Sequence, residues 1–420
     1  MNEKYICNFF YIIILLMLLL TACNRSTPAN QTTDQHTPDP PSTTMESIPE
    51  SNSTDSSQTP TAPELPQAKP DVAFKVPFTM NSIIIENDIL ERNTIVSSYK
   101  NDDGIVIFSR DFSTTEEIEM EIIQFDTKKN TYVSRYRAAK GMIINTLLSV
   151  GDELFWVENP SKATDNNTPW KIKRMKRDDL KATPVVFVEG ISEDQIAVPT
   201  LRSHYDEISW IEKKITDHIV KSEAYIYNVK TGIKTKVATQ LLNEQQKNNR
   251  EGIFLDLQRP VNEGLLIQQT VFENKGANNV KRFDIVLYPK DHSEPEIIVK
   301  DREEIYDFTA NEKWIVLTME SKTEILDRKT KHLTHSISHD ESLLGGYTPF
   351  IYENLLIYKQ SPYIMAVDLT TGNKQRLAPK EGDYTPIYNF GDVLTFTRME
   401  YEKEENFAEL FFIQLKPGYK

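Results

Sequence analysis

Cysteine is almost missing, with only Cys7 and Cys23 in 420 residues. That scarcity argues against a disulfide framework and against a cysteine-based zinc site. A basic excess is missing too: 48 Lys and Arg stand against 62 Asp and Glu, a formal net charge of −14. Such acidity disfavours nucleic acid and direct adsorption to anionic lipid. Long apolar runs are confined to Phe9 to Leu20, which is too short to span a bilayer comfortably as a permanent helix. Helical periodicity is weak almost throughout, and only Thr239 to Arg250, with Leu241 and Leu242 followed by polar residues, reads as a helical turn or two within a loop. No Gly-Xaa-Ser-Xaa-Gly elbow, His-Glu-Xaa-Xaa-His helix or phosphate-binding glycine loop occurs. The expectation is therefore no catalytic residue, no cofactor and no metal ligand.

What is present divides into three segments. Residues 1–22 carry Lys4 ahead of the apolar run, the form of an export signal, and the run closes on Leu20-Thr21-Ala22-Cys23. This tetrapeptide resembles the lipobox of bacterial lipoproteins: an apolar residue, two small ones, then the Cys that is lipidated and becomes the mature N-terminus. The resemblance implies a diacylglyceryl group on the Cys23 sulfur, palmitate-like chains and a location on the extracytoplasmic face of the cell membrane. Two chains hold a protein on a bilayer where one is marginal. Cys7 leaves with the signal, so the core rests on packing alone.

Residues 23–70 follow as a tether. From Asn24 to Pro70, Ser, Thr and Pro make up 25 of 47 residues, with hardly a large apolar side chain. Such a segment buries no core, and as a coil it spans about 40 Å. It carries −4 of the net charge, the signal none, and the remainder −10.

From Asp71 to Lys420 the chain turns to short runs of Ile, Val, Phe, Tyr and Leu between Gly, Asn, Asp, Lys and Glu, the pattern of strands. Glu207-Ile-Ser-Trp-Ile-Glu212 shows the unit that returns. Its counterparts as second strands are Ile105–Phe108, Glu153–Trp156, Leu265–Gln268, Trp314–Leu317, Leu355–Tyr358 and Val393–Phe396. From Phe108 to Phe396 the mean period is 48 residues, the length of a four-stranded propeller blade. A turn sits before each second strand: Asn101-Asp102-Asp103-Gly104, Gly151-Asp152, Tyr205-Asp206, Asn262-Glu263-Gly264, Asn311-Glu312, Glu353-Asn354 and Gly391-Asp392. These residue types tolerate positive φ.

Third strands read at Glu223–Asn228 before Lys230-Thr231-Gly232 and at Tyr363–Asp368 before Thr370-Thr371-Gly372, with weaker copies elsewhere. An apolar strand, then Asp or Asn, then Thr-Gly resembles the blades of TolB-like propellers, although the Ser-Pro-Asp-Gly turn common there is absent. The expectation is an all-β fold, a single β-propeller of seven four-stranded blades. Six or eight stay open because the fourth unit, Phe254 to Asp301, is long. After Phe412-Ile413-Gln414 no full fourth strand remains, so the N-terminal stretch, Ser82–Glu86 or Ala73–Phe78, is expected to supply it and close the ring.

Candidate site residues are few. Trp156, Trp210 and Trp314 fall in second strands and read as packing between blades, whereas Trp170, after Asn167-Thr168-Pro169 on a long connection, reads as the better candidate for an exposed contact. His332, His335 and His339 fit a polar outer strand better than a metal site. Acidic runs at Thr115–Glu119 and Glu402–Glu405 read as solvated connections. A ligand would meet the channel mouth, lined by first strands such as Ile196–Pro199 and Thr385–Tyr388.

The expected function is a membrane-anchored, monomeric, non-catalytic binding or scaffold module in the cell envelope. Its partners would be the membrane through the lipid and an envelope protein or a cell-wall carbohydrate, with no nucleic acid. The rival is an extracellular enzyme on carbohydrate or peptide with a pair of Asp or Glu at the mouth; a third is an accessory subunit of a membrane complex.

Overall fold

Four consecutive apolar residues on a strand need two buried faces, because successive side chains point to opposite sides. The chain meets that need by packing sheets face to face in a ring. This is seen in a computed structural model that describes residues 73–85, 94–101, 103–113, 116–162, 167–193, 197–216, 219–246, 249–275, 278–339, 347–378, 380–390, 393–400 and 407–415. Leu154 and Trp156 enter one core cluster while Phe155 and Val157, one residue out of phase, enter the next. The same division sends Leu355 and Ile357 one way and Leu356 and Tyr358 the other.

The strands are antiparallel and pair in chain order. Thr94–Lys100, Ile105–Asp111, Met120–Asp126 and Thr131–Arg137 form the first four-stranded unit. Units of the same order follow over residues 142–192, 202–246, 249–302, 307–338 and 347–376. The seventh comprises short inner segments at Asp383–Tyr384 and Tyr388–Asn389, then Val393–Glu400 and Phe407–Gln414. Its outer strand is Thr79–Ile85, paired from Thr79 opposite Gln414 to Ile85 opposite Ala408. The N-terminal strand thus closes the ring.

Among the described residues seven hydrophobic clusters are found, and each joins two consecutive units, the one between the second and third also taking in Phe390 of the seventh. The cluster of Ile85, Ile95, Phe108 and Phe412 joins the seventh unit to the first. Every interface in the series is therefore apolar, and the architecture is an all-β propeller. No helix among the described residues is long and apolar enough to cross a membrane.

All seven second strands fall where the repeat puts them. The turns before them work in more than one way. Positive φ occurs at Gly104, Gly151, Tyr205 and Glu353. Asn311 instead accepts hydrogen bonds on its side-chain oxygen from the backbone N–H groups of Lys313 and Trp314, at 3.0 and 2.8 Å. Gly264 is needed for close approach, since a Cβ there would lie 2.0 Å from the Tyr288 carbonyl oxygen. Gly391-Asp392 lies outside the described residues.

The helical expectation over Thr239 to Arg250 is overturned. These residues belong to Ile233–Gln246 and the start of Asn249–Val261, long strands that pair with each other and join the third and fourth units into one eight-stranded sheet. Leu241 and Leu242 are adjacent on a strand and face opposite ways, Leu242 buried and Leu241 exposed. The signal at residues 1–22, Cys23, the tether and Glu402–Glu405 lie outside the described residues.

Candidate functional site

Inner strands vary from two to thirteen residues, and one side of each faces the axis of the ring rather than a neighbouring sheet. Inner strands of six units line a cavity of about 370 Å³ there. Its mouth was expected at Ile196–Pro199 and Thr385–Tyr388. The second stretch contributes Ile387 and Tyr388, whereas in the third unit the inner strand is Arg202–His204, so the wall is made by Leu201 to Tyr205 instead.

Polar side chains from four inner strands converge in this channel. Arg259 Nη2 bridges the carboxylate of Asp307, 2.7 Å from Oδ1 and 2.6 Å from Oδ2, and its Nε donates to the Phe308 carbonyl at 3.1 Å. The backbone N–H of Phe308 donates to Oδ1 and that of Thr348 to Oδ2, at 2.9 and 3.0 Å. Asp307 is buried, and both of its oxygens are engaged.

Arg202 is different. It is half-buried and borders the cavity. Among the described residues it forms no hydrogen bond or ion pair. Burial, then the charge of Arg259, pulls its guanidinium down to about 10, with Asp307 and Tyr388 acting the other way. Burial pushes the Tyr388 phenol up to about 12, against the pull of Arg202.

The rim is cross-linked. His204 Nε2 and Asn262 Oδ1 are 2.9 Å apart, and burial lowers the imidazole pKa more than this hydrogen bond restores it. The Ser203 hydroxyl donates to the Asn389 carbonyl at 2.7 Å, tying the third unit to the seventh. Arg328 Nη1 reaches Glu263 Oε1 at 2.8 Å.

The other candidates are accounted for by packing. Trp156 and Trp210 are fully buried and Trp314 nearly so, each in a cluster between two units. In the stretch with which the repeat is defined, Trp210 Nε1 donates to Glu212 at 3.0 Å, while Glu207 pairs with Lys290 at 2.7 Å. Trp170 corrects the expectation of an exposed contact. It lies on the third strand Thr168–Lys176, 2 % exposed and opposite Gly190, whose missing side chain makes room for the ring: a Cβ there would be 2.5 Å from it.

The three histidines go to separate surroundings. His332 is exposed, His335 lies on the outer strand Leu333–Ser338, and His339 is buried with Nε2 2.8 Å from the Thr323 hydroxyl. Of the acidic connections, Glu117 and Glu119 share Lys140, at 3.3 and 3.7 Å. Sequence reasoning missed Arg202, Arg259 and Asp307. The available signal was the turn: residues directly before each turn belong to an inner strand.

No protein-family model matches the chain, and no curated protein does. Solved structures are similar in outline. The β-propeller domain of the Trilobed protease from Pyrococcus furiosus has a TM-score of 0.46 at 12% identity, covering 74% of this chain and 94% of its own. An oligogalacturonate lyase in complex with manganese has a TM-score of 0.47 at 12% identity, with 84% and 99% covered. The AfRom2 CNH domain has a TM-score of 0.47 at 9% identity, with 79% and 98% covered.

Proposed function

We propose that the chain is a lipid-anchored extracytoplasmic lipoprotein whose propeller is a binding module, holding a ligand of the cell envelope in the channel without altering it. The anchor rests on Leu20-Thr21-Ala22-Cys23 and the tether on the composition of residues 23–70. The binding role rests on one observation above all: Asp307, buried beside the channel, has both oxygens engaged, and Glu263 on the wall is paired with Arg328, while Glu312 and Glu353 also line the cavity. Acid–base work on a glycosidic bond needs two carboxyl groups, one of them open to proton exchange. Asp307 instead accepts from Arg259 Nη2 on both oxygens and from two backbone N–H groups. A cavity with fixed internal charges is suited to selecting a ligand.

Native mass spectrometry of the mature protein with a soluble digest of bacterial cell wall tests this. Adducts whose ligand mass is constant over hours are expected. New product masses growing with time would replace the binding module by an enzyme, and the absence of any adduct would remove the cell-wall ligand.

A further inference from the structure

Two guanidiniums face one carboxylate in the channel, and only one of them is neutralised. Arg259 is paired with Asp307, which leaves Arg202 with its planar fork of five N–H donors undirected by any hydrogen bond or ion pair among the described residues. A half-buried cation with no hydrogen-bonded counter-charge gives up part of its hydration without direct return. A Met or Leu would fill the same place on the inner strand without that cost, so the fold itself gives no reason for the charge. Among Arg202, Arg259 and Asp307 the balance is one positive charge; Leu148, Val261 and Ile387 line the same cavity, together with Lys313 and the carboxylates Glu263, Glu312 and Glu353. Apolar surroundings strengthen the attraction of that charge for an opposite one.

We propose that Arg202 anchors a single anionic oxyacid group, a carboxylate or a phosphate ester, of a small ligand seated in the channel. This deepens the binding reading above and rests on it. The group would occupy the side of Arg202 away from Arg259, and the fork geometry of the guanidinium matches two oxygens of such a group. At neutral pH Arg202 remains protonated, since about 10 still lies well above 7. A divalent cation fits poorly here, because Asp307, the carboxylate that faces Arg202, is already occupied by Arg259.

The mature protein, purified in detergent, is titrated calorimetrically with benzoate, methyl phosphate and sulfate at constant ionic strength. Saturable binding of benzoate or methyl phosphate is expected, and which of the two binds tighter tells a carboxylate ligand from a phosphate one. Arg202→Gln should weaken it about tenfold or more, the scale of a hydrogen-bonded charge contact. Arg202→Lys keeps the charge but loses the fork, and should fall between. Lys300→Gln, at an exposed position on an outer strand, should change nothing. Melting curves establish that each variant is folded. The inference is overturned if no anion binds saturably, or if Arg202→Gln binds them as the wild type does. Wall-fragment adducts that persist while the anions fail would remove this inference alone, and loss of those adducts from the wild type would remove the binding reading as well.

Discussion

At the scale of single residues, buried charge in this protein is arranged by contact, and Glu223 shows the consequence for stability. It lies on the third strand of the third unit with Lys221 and Lys236 each 3.0 Å from Oε1, and the Tyr225 hydroxyl 3.2 Å from Oε2. Burial opposes its ionisation, but the hydrogen bonds and charges of the two lysines prevail and hold the carboxyl at about 2, below an ordinary value of 4.5. A depressed acid stabilises the fold above the unfolded pKa, and that contribution is lost as pH falls through the folded one. Glu223→Gln should therefore lower stability at pH 7 by about 1 kcal/mol or less, the size of a solvent-screened pair. Its deficit should shrink between pH 4.5 and 2. Urea unfolding of both proteins at several pH values measures this, and a deficit independent of pH would assign the effect to packing.

At the scale of elements, Thr79–Ile85 carries the largest consequence, because it is the strand that closes the ring. It pairs over seven residues with Phe407–Gln414 and places Ile83 and Ile85 in the cluster shared with the first unit. Phe74, Val76 and Phe78 just before it pack on the cluster between the sixth and seventh units. Without them two apolar interfaces open and the edge of Phe407–Gln414 is bare. Removal of residues 71 to 90 is expected to abolish the cooperative melting transition of the domain; a truncated protein that melts at the wild-type temperature would contradict this role.

Second strands such as Leu355–Gln360 were legible because both faces are buried, which leaves runs of apolar residues that no surface strand would carry. The inner strands Arg202–His204 and Asp307–Ala310 were not, because they have three and four residues and carry Arg202 and Asp307 beside the channel. No period is visible in so short a span. Trp170 was misread because Pro169 and the polar residues before it read as loop, whereas Pro169 and Trp170 both stand in the third strand, opposite Ile191 and Gly190. Arg202 was hidden for a further reason: enclosure by six strands far apart in the chain is a property of the closed ring, and only the turn at Tyr205-Asp206 marks the residue as facing inward.

At the scale of the whole molecule, the proposed role joins an acidic body to a membrane that would not adsorb it. The folded segment carries −10 and the tether −4, so neither is held at an anionic lipid surface by charge. On the proposed role, retention would come from a lipid on Cys23, the sole cysteine outside residues 1–22. Two acyl chains give stable anchoring where one gives only reversible contact, so loss of the thiol has no partial substitute in this sequence. In bacteria expressing the full chain, the wild type should fractionate with membranes and incorporate labelled palmitate. Cys23→Ala should carry no label, and once cleaved it should be released to the soluble fraction. A cleaved, unlabelled Cys23→Ala protein that stayed with the membranes after a high-salt wash would show that some other surface holds it there, and the channel ligand would become the first candidate for that attachment.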